Sequence, residues 1–383
     1  MKLISSELDL NYAGQAPVPA GLRVVIPDSA VQSLVHACRK VDSHPRISGL
    51  GHYRRPYFGQ DLAGKSLFMW RGCGVGDQLV WGGLAAILKR LFPTARIVNY
   101  SHPTFHRELW EGVRSLPFEA RPEPVDFETW KSFDYHLLGE DLVESDREPD
   151  QPDVWSGHLM AAGIAGERVP ADLRRPCVPV TPEDRALADR WLRERGIRTD
   201  AFHRPDRPLV LWQLAASSPV RSYRPDLTRA ALARLCRELP GAAVAVTGRD
   251  ADLGTYRLPE ADNLWCAMGL PIRAVFALLD VAACTVAPDS CLGHAAGGLR
   301  RPCVSLWGSF LPGDRAGTYA EHRPLTGRTA CSPCRHHETS ALAAGCPRVA
   351  TGEAQVPCCE ALAQITPESI VDAVKEIVQC LRK

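Results

Sequence analysis

The sequence predicts an α/β protein built as two halves in series, each a parallel sheet covered by helices on both faces. Three observations predict it. From Ser66 onward, short apolar runs alternate with amphipathic segments of helix length, the pattern of strand–helix–strand units. That alternation breaks at Ile197–Pro208, a polar stretch with two prolines that reads as a linker, and then restarts. A chain of 383 residues is also long for one hydrophobic core and ordinary for two.

Taken in order, residues 1–60 give little beyond a helical pattern at Ala30–Lys40 and a Gly-, Arg-, Tyr- and Pro-rich stretch beginning at Gly49, and are treated as an extension of unassigned role. The first half, 61–200, opens on strand 66–70 (SLFMW), followed by helix 78–92 and strand 96–100. A helix near 104–113, a strand at 133–138 and helices at 153–163 and 182–195 complete it. The second half, 207–365, runs strand 209–212, a polar loop 213–225, helix 226–238 and strand 242–246, which ends at Thr247-Gly248. Helix 271–280, strand 284–287, a turn at Pro288-Asp289-Ser290, helix 291–299 and strand 303–307 follow. Thr366-Pro367-Glu368 supplies an N-cap, a proline at the first helical position and an acid in the first turn, so a final helix is expected over 366–383.

Composition excludes several classes. Hydrophobic content of 45% and charged content of 23% are those of a soluble globular protein. A net charge of +1 gives no global footprint for nucleic acid. The N-terminal MKLISSELDLNYAG lacks the apolar core of a signal peptide, and no apolar run approaches the ~18 residues that span a bilayer, so a cytoplasmic protein is expected.

The chain is organised around Arg71–Gly83, RGCGVGDQLVWGG, a glycine-rich strand-to-helix turn that ends in a carboxylate at the helix start. Such turns bring backbone N–H groups close to a ligand. Asp77 there reads either as an N-cap or as a chemical group. A nicotinamide-type fingerprint is not met: Asp77 stands at the third glycine position, and the second strand ends in Asn99-Tyr100 without a carboxylate for a ribose. Gly59–Ser66 matches GxxxxGK[ST], but a strand-like run follows it where a P-loop needs a helix, so it reads as a turn into the first core strand. In the second half, Pro288-Asp289-Ser290-Cys291-Leu292-Gly293-His294 lies between a buried strand and an Ala/Gly-rich helix. Ser290 and the helix N-terminal amides suit a diphosphate, while an N-capped helix with a satisfied His294 is the plainer reading. The loop Gln213–Pro225 follows the first strand of this half, at the sheet end where ligands bind, and Arg221 or Arg224 is placed to clamp phosphate oxygens.

Five elements, read together, resemble glycosyltransferase family 9, which includes the lipopolysaccharide heptosyltransferases. They are Gly76-Asp77, Arg221-Ser-Tyr-Arg-Pro225, Asn263-Leu264 with Gly269-Leu270, Asp289-Ser290-Cys291-Leu292-Gly293-His294, and the strand ending at Gly308. The opening Asp61-Leu-Ala-Gly-Lys-Ser-Leu is similar to relatives whose catalytic domain follows helical repeats, and the resemblance covers about residues 61–383. Cys291 stands where the family usually has glycine, and Arg221 where many members have lysine.

The resemblance implies a GT-B fold, two Rossmann-like domains with parallel sheets facing across a cleft, the first for the acceptor and the second for the nucleotide sugar. It implies inverting transfer of a sugar, heptose by family, from a nucleotide-diphosphate sugar such as ADP-heptose to an acceptor hydroxyl. Asp77 would be the catalytic base. The donor-contacting candidates are Gly76, Gln213, Ser217, Arg221, Gly248, Met268, Asp289, Ser290, Leu292, Gly293 and His294. No catalytic metal is expected. The acceptor, whether glycan, protein, small metabolite or nucleic acid base, is not specified, and neither is homo-oligomerisation. Two other readings stay open: a nucleotide-sugar-binding protein without transferase activity, and a GT-B epimerase or hydrolase.

Of the 14 cysteines, most sit singly in apolar segments and behave as small core residues. Cys331-x2-Cys334-x11-Cys346-x11-Cys358-Cys359 is different. Four thiolates suit Zn(II) or a single iron, in a stretch too poor in apolar residues to supply its own core. By spacing, Cys358 or Cys359 completes the set; a disulfide or unligated thiols are the rivals. The same resemblance extends here: Cys346-Pro347 fits the family's C-x-x-C…C-P…C pattern, leans toward Cys359, and is similar to the iron-binding cysteine finger of the autotransporter heptosyltransferases. The implied cofactor is therefore a structural metal, Fe or Zn.

Overall fold

The run SLFMW forms strand β1, Ser66–Trp70, because four of its five side chains find a fully buried place. A computed structural model describes residues 2–5, 10–12, 16–18, 23–26, 46–49, 54–72, 74–139, 153–335 and 359–380. From β1 the chain enters helix α1, Val75–Leu91, whose buried face carries Leu79, Val80, Trp81, Leu84, Ala85, Ile87 and Leu88. Strand β2, Arg96–Ser101, strand β3, Glu119–Pro122, and strand β4, Tyr135–Leu138, follow. They make a four-stranded sheet in the order β4-β1-β2-β3, parallel throughout. A second, antiparallel sheet joins Lys2–Ser5, Arg23–Ile26 and Arg46–Gly49 to Val125–Asp126. The helical pattern noted at 30–40 falls outside the described residues.

After helix α2, Val154–Ala161, and helix α3, Pro182–Arg193, the second half begins. Its elements are β5, Leu209–Gln213; α4, Pro225–Glu238; β6, Ala243–Thr247; α5, Asp250–Tyr256; and β7, Leu264–Cys266. They continue with α6, Ile272–Val281; β8, Cys284–Pro288; α7, Cys291–Leu299; and β9, Cys303–Trp307. Last come α8, Pro312–Ala316; β10, His322–Thr326; α9, Glu360–Ala363; and α10, Pro367–Cys380. Six parallel strands stand in the order β7-β6-β5-β8-β9-β10. Counted from β5, that is the doubly wound order 3-2-1-4-5-6, with its reversal between β5 and β8. Residues of α10 (Ile370, Val371, Val374, Val378) share one core with β5, β6, β8 and β9. Each such side chain, fully buried, contributes about 1.5–3 kcal/mol. Thr366 caps α10, its Oγ1 accepting from the N–H of Ser369 at 3.2 Å.

The chain divides into two units, one within Met1–Val143 and His158–Leu173, the other within Glu144–Gly157 and Arg174–Lys383. These bounds differ from the 61–200 and 207–365 expected from the proline-bearing linker. The physical reason lies in 174–193. Arg175 bonds the Gly297 carbonyl and Glu321 at 2.7 and 2.8 Å, and α3 is tied to α6 by Asp184–Arg273 at 3.2 Å and Arg185–Asp280 at 2.7 Å. Side chains bind α3 to α6 of the second unit, and proline content alone does not register them.

Candidate functional site

In the first unit the sheet order reverses between β1 and β4, and Arg71–Asp77 follows β1 at that point. The helix begins earlier than the apolar pattern suggested. Gly74, in extended conformation at φ −79° and ψ 173°, is the N-cap; Val75, Gly76 and Asp77 are the first three helical residues. Asp77 is therefore not the cap residue, although its Oδ2 accepts from the Gly74 N–H at 3.2 Å and so satisfies a cap donor from inside the first turn. Its Oδ1 accepts from Arg71 Nη2 at 3.1 Å, and 28% of the side chain stays exposed. Arg71 itself is buried, and its Nη1 lies 2.7 Å from His158 Nε2 on α2. Gln78 Nε2 donates to the Arg71 carbonyl at 2.6 Å.

In the second unit the loops after β5 and β8 flank the reversal of strand order. Gln213 at the end of β5 bridges them. Its Oε1 accepts from Ser290 Oγ at 2.5 Å and from the Leu292 N–H at 3.3 Å, and its Nε2 donates to the Ala215 carbonyl at 2.9 Å. The donors expected for a diphosphate at Ser290 and the start of α7 thus hold a side-chain carbonyl oxygen here. Of the two candidate arginines, Arg221 faces the site: Nη1 donates to the Asp289 carbonyl at 3.0 Å and Nη2 to Ser217 Oγ at 2.8 Å. Arg224 forms a forked pair with Asp226 at 2.6 and 2.8 Å instead. The Asp289 carboxylate is buried and lies 3.8 Å from Arg221 and 3.9 Å from Arg315 of α8. His294 Nδ1 is 3.1 Å from the Tyr319 hydroxyl, and burial pushes that phenol well above its ordinary range. Gly248, past the end of β6, would place a Cβ 3.6 Å from Met268 Cε and 3.0 Å from Asp252 Oδ2. Cys291, at the first position of α7, has its thiol pushed up to about 11 by burial. The second-unit donor candidates therefore lie at the carboxyl ends of β5, β6, β7 and β8, Met268 being the one that follows β7. Asn263 of the family-like run has a structural role, since its Nδ2 donates to the carbonyls of Cys236, Leu239 and Ala242 and so ties the end of α4 to the start of β6.

Sequence reading missed Arg71, His158, Arg315 and Tyr319. Arg71 stood inside the quoted motif, but an arginine-rich composition gave it no contrast. His158 is 87 residues from Arg71, and no spacing rule joins them.

Of the cysteine set, Cys346 and Cys358 lie outside the described residues. Burial pushes the Cys359 thiol up to about 11, with the charges of Cys334 and Cys331 acting in the same direction. The Cys331–Cys334 stretch is pinned beside the end of β9 by Ser332 Oγ to the Gly308 carbonyl at 2.5 Å and the Arg335 N–H to the Ser309 carbonyl at 2.7 Å. A Cβ on Gly308 would lie 3.0 Å from Cys359 Sγ. Among the described residues alone, no group of three or more His, Cys, Asp or Glu is arranged to hold a metal ion. Nor is any helix among them long and apolar enough to cross a membrane.

Comparison with solved structures shows the fold. ADP-heptose LPS heptosyltransferase II of E. coli superposes with a TM-score of 0.60 at 15% identity, over 83% of this chain and 100% of that one. A family 9 glycosyl transferase from Veillonella parvula gives 0.60 at 13%, over 84% and 99%. The dodecameric iron-containing glycosyltransferase TibC of enterotoxigenic E. coli gives 0.57 at 14%, over 99% and 92%. The chain has the GT-B fold. By sequence, residues 179–344, which include β5 to β10, match the model of glycosyltransferase family 9 (heptosyltransferase). No curated protein matches the chain at a significant level.

Proposed function

We propose that the protein is an inverting glycosyltransferase of family 9 that moves a sugar, heptose by likeness to its structural neighbours, from a nucleoside-diphosphate donor to an acceptor hydroxyl. The observation that carries this reading is the gathering of Gln213, Ser217, Arg221, Asp289, Ser290, Leu292 and His294 at the strand-order reversal of the six-stranded sheet. There, a half-buried arginine, Arg221, and the N-terminal end of α7 favour a diphosphate. In the reaction, the acceptor oxygen attacks the anomeric carbon while Asp77 Oδ takes its proton. The bond from that carbon to the diphosphate oxygen breaks, and its electron pair leaves with the nucleoside diphosphate. Arg221, the Ser290 hydroxyl and the first amides of α7 stabilise the charge that develops. The Gln213 carbonyl would have to yield its place at Ser290 and Leu292 for the phosphate oxygens to take those donors.

The cysteine cluster fits a structural metal by the chemistry of its donors, soft thiols from Cys331, Cys334 and Cys359 with Cys346 or Cys358 to complete four. Iron or zinc bound there would tie the loop to the end of β9; no catalytic step involves it. The protein is read as cytoplasmic.

Incubation with nucleotide sugars, with and without candidate acceptors, while following nucleoside diphosphate release and product mass, tests the function. Release that depends on an acceptor, with sugar appearing on it, supports transfer. Epimerised or merely hydrolysed donor overturns it. Asp77→Asn is expected to keep fold and donor affinity and to lower kcat by about 100-fold or more; near-normal turnover would remove Asp77 from the role.

A further inference from the structure

A general base must be held as well as present. Asp77 is anchored at both oxygens, by the Gly74 N–H at 3.2 Å and by Arg71 Nη2 at 3.1 Å, and still keeps an open face. Arg71 sets that geometry only if its own position is fixed. It is 3% exposed, which is unusual for an arginine and requires polar partners for its N–H groups. One is His158 Nε2, 2.7 Å from Nη1. A guanidinium N–H can only donate, so Nε2 accepts, and His158 is the neutral tautomer with its proton on Nδ1. A second proton on the ring would set two cations against each other in a buried place. Trp81 of α1 packs edge-on against the imidazole, with centroids 5.8 Å apart. Gly139, past β4, leaves the room Arg71 occupies: a Cβ there would fall 2.8 Å from Arg71 Cγ.

We propose that His158 is a positioning residue: its Nε2 fixes the Arg71 guanidinium, which in turn orients the Asp77 carboxylate toward the acceptor hydroxyl. This rests on the reading of Asp77 as the base. The chain of contacts runs from His158 through the end of β1 to the start of α1, residues that all lie in the first unit, so it acts on the acceptor side and leaves donor binding in the second unit alone.

Nitrogen-15 NMR of labelled histidine in the intact protein, with the His158 signals identified by their loss in His158→Gln, is expected to show a bare Nε2 and a protonated Nδ1. A proton on Nε2 overturns the proposal. In turnover with ADP-heptose as the donor probe, His158→Leu is expected to lower kcat about tenfold or more with KM for the donor changed by less than about twofold. His158→Gln, whose Oε1 also accepts from Arg71, is expected to recover most of that loss. Unchanged kcat in His158→Leu, or a Gln variant as slow as the Leu variant, overturns the assignment. Asp77→Asn measured alongside separates the failures. If it is fully active, the base reading fails and this one with it. If it is inactive while His158→Leu is not impaired, only the positioning role fails.

Discussion

His136 shows what burial does to a single residue here. It lies on β4 with 0% exposure; its Nδ1 accepts from the Arg55 N–H at 3.2 Å, and its Nε2–H donates to the Trp130 carbonyl at 3.0 Å. Burial is the largest cause that pushes its pKa down to about 4. The folded state therefore binds its proton less readily than the unfolded chain. The stability it contributes is complete above about pH 6.5 and is lost as pH falls through about 4, about 3 kcal/mol in all. Urea unfolding at pH 7 and at pH 4.5 is expected to show that loss, and His136→Gln to shrink the difference between the two. In the second unit, burial pushes His322 down to about 4 as well, with the charge of His294 acting in the same direction, which adds to the slope. Arg221 belongs to the same scale. It bonds Ser217 and the Asp289 carbonyl and is the cation that the diphosphate reading needs. Arg221→Ala is expected to weaken nucleoside diphosphate binding by about 2 kcal/mol, roughly 30-fold, measured by calorimetry.

Among elements, α3 carries a capping box that is also an anchor. Thr181 Oγ1 accepts from the Asp184 N–H at 3.2 Å, and Asp184 Oδ2 accepts from the Thr181 N–H at 2.9 Å and from its hydroxyl at 2.8 Å. The same carboxylate, 4% exposed, pairs with Arg273 at 3.2 Å. Asp184→Ala removes a cap and leaves a largely buried guanidinium short of a partner. It is expected to cost about 2 kcal/mol or more in chemical denaturation. The Cys331–Cys334 loop belongs here too. Elemental analysis of purified protein is expected to find iron or zinc near one per chain, and Cys331→Ser with Cys334→Ser to remove it; full metal content in the double variant would exclude these ligands. Helix α1 and the core strands were readable from their apolar periodicity. Strand β10 and helix α8 were not: HRPLT is mostly exposed or half-buried, and a helix of five residues is too short for a period to appear.

For the whole molecule, the expected signature of donor binding is a shift in unfolding. A nucleoside diphosphate at about 100 times its Kd stabilises the state that binds it by about 2.7 kcal/mol. Calorimetry is expected to show the melting of the second unit rise with ADP, and to rise by only about a third as much in Arg221→Ala at the same ADP concentration. By itself the sequence determined the α/β class, most of the strands of the two parallel sheets, the helix that leaves the Arg71–Asp77 turn and the turn at Asp289–His294. Those features depend on apolar period, glycine and proline placement and caps, all of which act within a few residues. Tertiary structure alone decided that α3 joins the second unit, that Arg221 rather than Arg224 faces Asp289, that Gln213 bridges Ser290 and Leu292, and that His158 reaches Arg71. Each is a contact between side chains far apart along the chain, set by where the strands bring their ends, and local pattern carries no record of such distances.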